Sequence, residues 1–340
     1  METIIDFFLI CSAGEGIGKG HFTRIISVFE VIKKRSNNNA VLFIHGKDLT
    51  SLNNNETKFT QFSSLENLCK HLLSLDNKSK KQVFIFDLKE DIVESNFEKI
   101  LLKIQENNGI IVSIDGLLFY EKFIDFIFMP TFHKQDKFDL INKEKISWGW
   151  NNFLLNSKYE NALTKSTYKN ILILTGGSDA TKLGQALPKL IDVKFRKKEN
   201  IKWVIGPFSN SPNIEILENN QWEFIKSPSY LDDLMLQTKI AITVFGVSFF
   251  ELLYYGIPTI VFSPYGLKDN KELLEIEKLG VAVVAKDESD VVVKLNELYI
   301  NELKQRELVE KSKSLFSTKG QVNLYQEIKK IIEKKWHIHI

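Results

Sequence analysis

Three short stretches hold the residues whose types and spacing could do chemistry. The first, SAGEGIGKGHFTR over residues 12–24, sets Gly14, Gly16, Gly18 and Gly20 at alternate positions ahead of His21. Glycines there let the backbone come close to a ligand, with the N–H groups of a following helix pointing at it. The spacing is not that of a P-loop, GxxxxGK[ST], because Gly14 and Gly18-Lys19 stand one residue too close and Gly20 follows the lysine. Nor is it GxGxxG, since Gly16, Gly18 and Gly20 are evenly spaced. What remains is a loop that delivers one titratable ring, His21, to the mouth of a helix. Such a ring is either an exposed loop histidine or a general base working near neutral pH. Lys19 and Arg24 stand beside it as contacts for an anionic ligand or as solvated surface charges.

The second stretch is TVFGVSFFELLYYGIPTIVFSPYGLKDN, residues 243–270. Its strand, Gly246, Ser248 and helix place N–H groups and a hydroxyl where a diphosphate could sit. Glu251, one turn in, either accepts hydrogen bonds from ribose hydroxyls or partners the helix dipole. The third stretch, LTGGSD, puts Gly176, Gly177 and Ser178 at another strand-to-helix turn, a second backbone nest for ligand oxygens, with Asp179 as a helix cap. Asp87 and Asp115 end the runs QVFIFD and IIVSID, where each could bind sugar hydroxyls or cap a helix.

The elements that must position these residues are legible from periodicity. Residues 3–11, 40–45, 82–87, 110–115 and 124–129 are short apolar runs separated by helical patterns, and Phe22, Ile25, Ile26, Phe29 and Ile32 share one helical face. After a polar, aromatic-dotted stretch at 146–168 the alternation resumes at 169–175, 201–206, 222–226, 239–245, 258–262 and 281–285. Helices are expected after Asp179, Ser229, Val247 and Asn270. Continuous apolar strands alternating with helices predict an α/β protein of two Rossmann-like domains, each with a parallel sheet covered on both faces. The domains are expected at 1–155 and 156–340, facing a central cleft, with the charged helical stretch 302–336 leaning back on the first. Ligands of such sheets sit beyond the carboxyl ends of the strands.

Composition narrows the classes. At 340 residues the chain has length for two full cores. Its 45 Lys and Arg against 43 Asp and Glu leave a net charge of +2, which argues against a dedicated nucleic-acid binder. Two cysteines, Cys11 and Cys69, exclude a disulfide scaffold and read as reduced, buried thiols of a cytoplasmic protein. The opening METIIDFFLICSAGEG is short, carries Asp6 and lacks a basic leader, so it reads as a buried strand rather than a signal peptide. No apolar stretch is long enough to predict a membrane span. His337 and His339 at the chain end are too few to predict a metal site.

Taken in order, GxGHxxR, GGSD, GxSxxExxxxGxP and a later asparagine resemble the GT-B-like UDP-sugar hydrolases of pseudaminic acid biosynthesis. The spore-coat polysaccharide proteins are similar, as is, more distantly, the N-acetylglucosaminyltransferase that makes lipid II. IFD (85–87), SIDG (113–116) and WGWNNFLL (148–155) extend the resemblance over nearly the whole chain. It implies a GT-B-like fold and a small-molecule UDP-sugar substrate, with no cofactor, no metal, no nucleic acid and no stable membrane insertion. It implies His21 as the base at the anomeric carbon and Asn270 as a polar residue at the reaction centre. Ser248 and Glu251 would hold the uridine diphosphate, Gly246 giving the backbone room, with Gly18, Gly20, Arg24, Asp87, Lys89, Asp115, Gly176, Gly177 and Ser178 completing the substrate contacts. Three positions depart from the family: Lys89 replaces the tyrosine of D-x-Y, CSAGEG replaces an Arg and Asp, and Lys271 follows Asn270 in place of glutamine. These departures touch the sugar more than the nucleotide. The expected activity is hydrolysis of a UDP-sugar by water attack at C1 with inversion, giving UDP and a free amino or deoxy sugar for nonulosonic acid or surface polysaccharide. The alternative is an inverting glycosyltransferase using the same residues on an acceptor hydroxyl.

Overall fold

The computed structural model describes residues 4–14, 20–47, 58–75, 81–88, 93, 97–157, 169–179, 181–214, 217–228, 230–263 and 265–338. It divides into two compact units, Met1–Leu155 with Thr318–Ile340, and Asn156–Ser317. The first unit runs β1 (Ile5–Ser12), α1 (Gly20–Arg35), β2 (Asn39–His45), β3 (Thr60–Phe62), α2 (Leu65–Ser74), β4 (Lys81–Asp87), α3 (Phe97–Glu106), β5 (Ile110–Ile114), β6 (Phe126–Met129) and β7 (Ile146–Trp148). The second runs β8 (Asn170–Leu174), α4 (Leu183–Lys194), β9 (Asn200–Ile205), β10 (Gln221–Lys226), α5 (Asp232–Leu236), β11 (Thr238–Val244), α6 (Val247–Tyr254), β12 (Thr259–Phe262), α7 (Asn270–Leu279), β13 (Val283–Val284), α8 (Glu288–Ile300) and α9 (Glu302–Leu315). The last helix, α10 (Gly320–Trp336), returns to the first unit.

Both sheets are parallel, ordered β3-β2-β1-β4-β5-β6-β7 and β10-β9-β8-β11-β12-β13. In the first, alternate residues of β1 serve opposite faces. Phe7, Leu9 and Cys11 bury on the side of α1 and α10, while Phe8 and Ile10 bury with Phe84 and Phe86 on the side of α2 and α3. Coverage on both faces is why these strands read as unbroken apolar runs. Helix α1 presents Phe22, Ile25, Val28, Phe29 and Ile32 to that core at helical spacing, and its last turn carries Lys33, Lys34 and Arg35 at the negative end of the dipole. Each sheet reverses its strand order once, between β1 and β4 and between β8 and β11. Those are the topological switch points where ligands of open α/β sheets bind.

Several elements differ from the periodicity reading. The three-residue strands β3 and β7 add an edge on each side of the first sheet, and β7 begins inside the stretch read as an interdomain lapse. The charged stretch after Glu302 is two helices, interrupted at residues 316–319. The second unit ends at Ser317 rather than at the chain end. The cause is apolar: Leu324, Tyr325, Ile328, Ile332 and Trp336 of α10 complete the core beneath α1. Gln321 pins the helix there, donating Nε2 to Leu155 O at 2.7 Å and accepting from Leu155 N at 3.3 Å. Among the described residues no helix is long and apolar enough to cross a membrane.

Candidate functional site

In the first unit the switch point between β1 and β4 holds four interlocked side chains. Cys11 of β1 and Asp87 of β4 are register partners at the ends of their strands, and α1 opens just after, bringing in His21 and Arg24. Asp87 is fully buried, and its Oδ1 lies 2.6 Å from His21 Nδ1. A carboxylate only accepts, so Nδ1 carries the hydrogen and the Nε2 lone pair is left for a proton. Arg24 grips the same carboxylate, donating Nε to Oδ2 at 3.1 Å and Nη2 to Oδ1 at 2.7 Å, and donates Nη1 to Asp115 Oδ2 at 2.5 Å. Its Nη2 also stands 2.9 Å from His21 Nδ1, an approach of two donors rather than a hydrogen bond. Burial alone would pull Arg24 down, but the charges of Asp87 and then Asp115 push it above its ordinary value. The Cys11 thiol beneath is pushed up by burial and by Asp87, which keeps it protonated and inert.

Arg24 therefore presents no free cation to an anionic ligand; its guanidinium is engaged by two carboxylates. Among the described residues Asp87 bonds His21 and Arg24 and caps no helix. Asp115 adopts a left-handed conformation at φ 58° just past β5, and the following Gly116 sits so close to Leu88 O that a Cβ would lie 2.6 Å from it. That contact packs the Asp115 turn onto the end of β4. Gly20 is the first residue of α1, and no described residue lies within 4 Å of where its Cβ would point. Gly18 and Lys89 lie outside the described residues.

In the second unit the switch point between β8 and β11 carries two turns of different character. After β8, Gly176 takes φ 85°, and Asp179 folds back to accept from Leu183 N and Gly184 N, each at 2.9 Å. The N-terminus of α4 is thus filled by the chain's own carboxylate. After β11, no side chain among the described residues caps α6; Phe249 N–H bonds Gly246 O at 3.0 Å, and the N–H groups of Val247 and Ser248 precede it at the start of the helix. Gly246 there is in extended backbone at φ 164°, with nothing among the described residues within 4 Å of where a Cβ would lie. Among the described residues neither conformation nor packing calls for glycine at this position. Ser248 is half-buried in the first turn of α6.

Glu251, in the same helix, is buried, and its Oε1 accepts from Asn156 N at 3.2 Å. Burial pushes its carboxyl up to about 8, against the single backbone donor. A polar layer lies alongside: Tyr255 donates its hydroxyl to Asp232 and stands 2.8 Å from Ser157 Oγ. Burial, and then that bond to Asp232, raises Tyr255. Asn270 is exposed as the first residue of α7, while Asp269 before it accepts from Ser263 Oγ at 2.5 Å. The periodicity reading does not single out Gly206, which directly follows β9 against the GGS turn: a Cβ there would lie 2.4 Å from both Gly176 O and Gly177 O. The signal was present as a glycine closing the run IKWVIG, but its need is set by a turn about thirty residues earlier in the chain. Thr175, at the base of the same turn, buries a hydroxyl with no partner among the described residues.

No known family model matches the chain. It is 26% identical over 137 residues to the processive diacylglycerol beta-glucosyltransferase of Bacillus cereus, covering 34% of this chain and 35% of that protein. It is 30% identical over 108 residues to the spore coat polysaccharide biosynthesis protein SpsG of Bacillus subtilis, covering 31% and 32%. The chain thus matches about a third of the length of these curated relatives. Among solved structures it is similar to MurG of Acinetobacter baumannii, with a TM-score of 0.64 at 11% identity over 96% of this chain and 99% of that one. The fold is two Rossmann-like domains of the GT-B type.

Proposed function

We propose that the chain is a nucleotide-sugar enzyme of glycan assembly that transfers a sugar from a UDP-linked donor to a hydroxyl, with inversion at C1. The observation that carries this reading is the His21–Asp87 pair at the β1/β4 switch point. A buried carboxylate holds the imidazole by Nδ1 at 2.6 Å, which reserves Nε2 as the nitrogen a general base uses to take a proton from a nucleophilic oxygen. In this reading the open N-terminus of α6 with Gly246 and Ser248 receives the diphosphate, whose growing charge is stabilised as the bond to C1 breaks. The turn at Gly176, Gly177 and Ser178 supports it, Glu251 accepts from ribose hydroxyls, and Asn270 serves at the reaction centre. The similarity to a protein named as a glucosyltransferase supports an acceptor hydroxyl over water.

Hydrolysis is the second reading, favoured by the motif order from GxGHxxR to the asparagine and by the similarity to a spore coat polysaccharide protein. Here water replaces the acceptor, and the products are UDP and a free amino or deoxy sugar of the pseudaminic type. One experiment separates the two. Purified protein is given UDP-glucose with diacylglycerol micelles, and separately a UDP-linked diacetamido-trideoxy-hexose without acceptor, with products read by proton NMR and repeated with His21→Ala. A glycoside with inverted C1 supports transfer, and free sugar supports hydrolysis. Failure to bind UDP by calorimetry overturns both. Equal UDP affinity in Glu251→Ala and the parent would remove Glu251 from the nucleotide site.

A further inference from the structure

The cluster around His21 contains one more carboxylate than a base and its orienting partner require. Arg24 binds Asp87 through two nitrogens, so a bare His21–Asp87–Arg24 trio would have no net charge with neutral imidazole, and would gain a positive charge when His21 took a proton. A cation 2.9 Å from the ring opposes that step. Asp115 changes the sum: its Oδ2, 2.5 Å from Arg24 Nη1, makes the resting cluster net negative and the protonated cluster neutral. The turn that carries it is held against β4 by the Gly116–Leu88 contact, so its position is fixed by the same strand end that holds Asp87. Asp115 is 39% exposed and Asp87 fully buried, so the two carboxylates on one guanidinium face different surroundings.

We propose that Asp115 is a positioning residue for the His21 base: it counterbalances Arg24, leaving the charge of Asp87 to the imidazolium formed when His21 accepts a proton. This rests on His21 acting as the base of the proposed reaction. It assigns Asp115 a task through Arg24 rather than a direct contact with sugar hydroxyls. Among the described residues the ring meets Asp87 from β4 and Arg24 from α1; Asp115 beyond β5 reaches it through Arg24, and the Cys11 thiol of β1 is the register partner of Asp87. Asp115 and Arg24 are the pair whose removal, singly and together, separates the charges.

The test reads the imidazolium-to-imidazole ratio of His21 at one fixed pH from ring nitrogen shifts of histidine-labelled protein, the signal being assigned by its loss in His21→Gln. Asp115→Asn is expected to lower the ratio about threefold or more, Arg24→Gln to raise it, and the double variant to return within about twofold of the parent. Asp115→Ser repeats the reading through a second side chain. In turnover, Asp115→Asn is expected to lower kcat with KM for the UDP-sugar unchanged. An unchanged ratio in both Asp115 variants, or a KM effect alone, overturns the inference. A changed ratio with no UDP release from any UDP-sugar supports the charge coupling and counts against the proposed reaction instead.

Discussion

His21 Nδ1 and Asp87 Oδ1 lie 2.6 Å apart although 66 residues separate them, because β1 and β4 are neighbours at the switch point of the first sheet. The pairing fixes which ring nitrogen is free. If His21 is the base of the proposed reaction, His21→Ala is expected to lower turnover about 10²- to 10⁴-fold while UDP affinity stays within twofold, since in that reaction the ring takes a proton and holds no nucleotide. Asp87→Asn is expected to fall in the same range, because an amide can offer Nδ1 a donor as readily as an acceptor. Steady-state kinetics with calorimetric UDP titration checks both. A tenfold loss of UDP affinity in His21→Ala would count against this division of labour.

The same carboxylate has a structural task. Removing it in Asp87→Ala leaves the Arg24 guanidinium, whose side chain is 11% exposed, with Asp115 alone. The expected cost is about 3 kcal/mol, the range for breaking a buried pair from one side. Urea unfolding of Asp87→Ala and of Arg24→Met/Asp87→Ala tests it. The double variant should recover part of the loss, since no buried charge is then stranded.

Much of this was legible in the sequence, and the reason is distance along the chain. His21, Gly246, Ser248 and the GGS turn stand out as candidates because the glycines and polar side chains of a strand-to-helix turn lie within a few residues of one another. Arg24 reads in the sequence as a substrate contact or a solvated cation, because its partners lie 63 and 91 residues away and charge alone does not reveal a partner. β3 and β7, at three residues each, are too short to carry a period. The break between α9 and α10 hides for another reason: Gly320 begins a helix there, and it is glycine because a Cβ would lie 2.5 Å from Phe153 O.

Asp192 supports the second unit from the opposite end of its sheet. It is buried and accepts from the backbone N–H groups of Glu218, Asn219 and Asn220, from both asparagine side chains, and from Trp222 Nε1 at 2.9 Å. Burial alone would raise the carboxyl, but these donors, Trp222 foremost, hold it at about 2. The folded value lies below the ordinary one of 3.8, so the unfolded chain binds the proton more readily. The stabilisation is therefore complete above about pH 4 and is lost as pH falls through 2, amounting to about 2 kcal/mol. Acid unfolding of Asp192→Asn should lack this loss and start from a lower stability. A parent-like acid profile in the variant would sink the assignment.

Glu251 gives the opposite sign. Its folded value of about 8 lies above the ordinary 4.5, so the folded chain holds a proton that the unfolded chain gives up. Its contribution is complete below about pH 4.5 and is lost as pH rises through 8, about 3–5 kcal/mol over the interval. Glu251→Gln keeps an acceptor for Asn156 N–H and carries no titration. Urea midpoints at pH 5, 6.5 and 8.5 should therefore decline in the parent and stay level in Glu251→Gln. Equal slopes in the two proteins would show that the carboxyl ionises freely where it sits.

Two glycines of the second unit make the sharpest contrast, because one is required by the fold and the other is not. At Gly206 a Cβ would lie 2.4 Å from two carbonyl oxygens of the GGS turn, so Gly206→Ala must displace backbone. The expected cost is about 1–3 kcal/mol, with UDP affinity reduced through the moved turn. At Gly246 the backbone is extended and the Cβ direction meets no described residue, so Gly246→Ala should change stability by less than about 0.5 kcal/mol. If the diphosphate lies against the first turn of α6, the same methyl group stands in its way, and UDP affinity should fall roughly tenfold or more. Thermal unfolding and calorimetry on the two variants read both quantities. Loss of affinity in Gly246→Ala without loss of stability marks that turn as ligand-facing, and unchanged affinity would move the diphosphate away from α6.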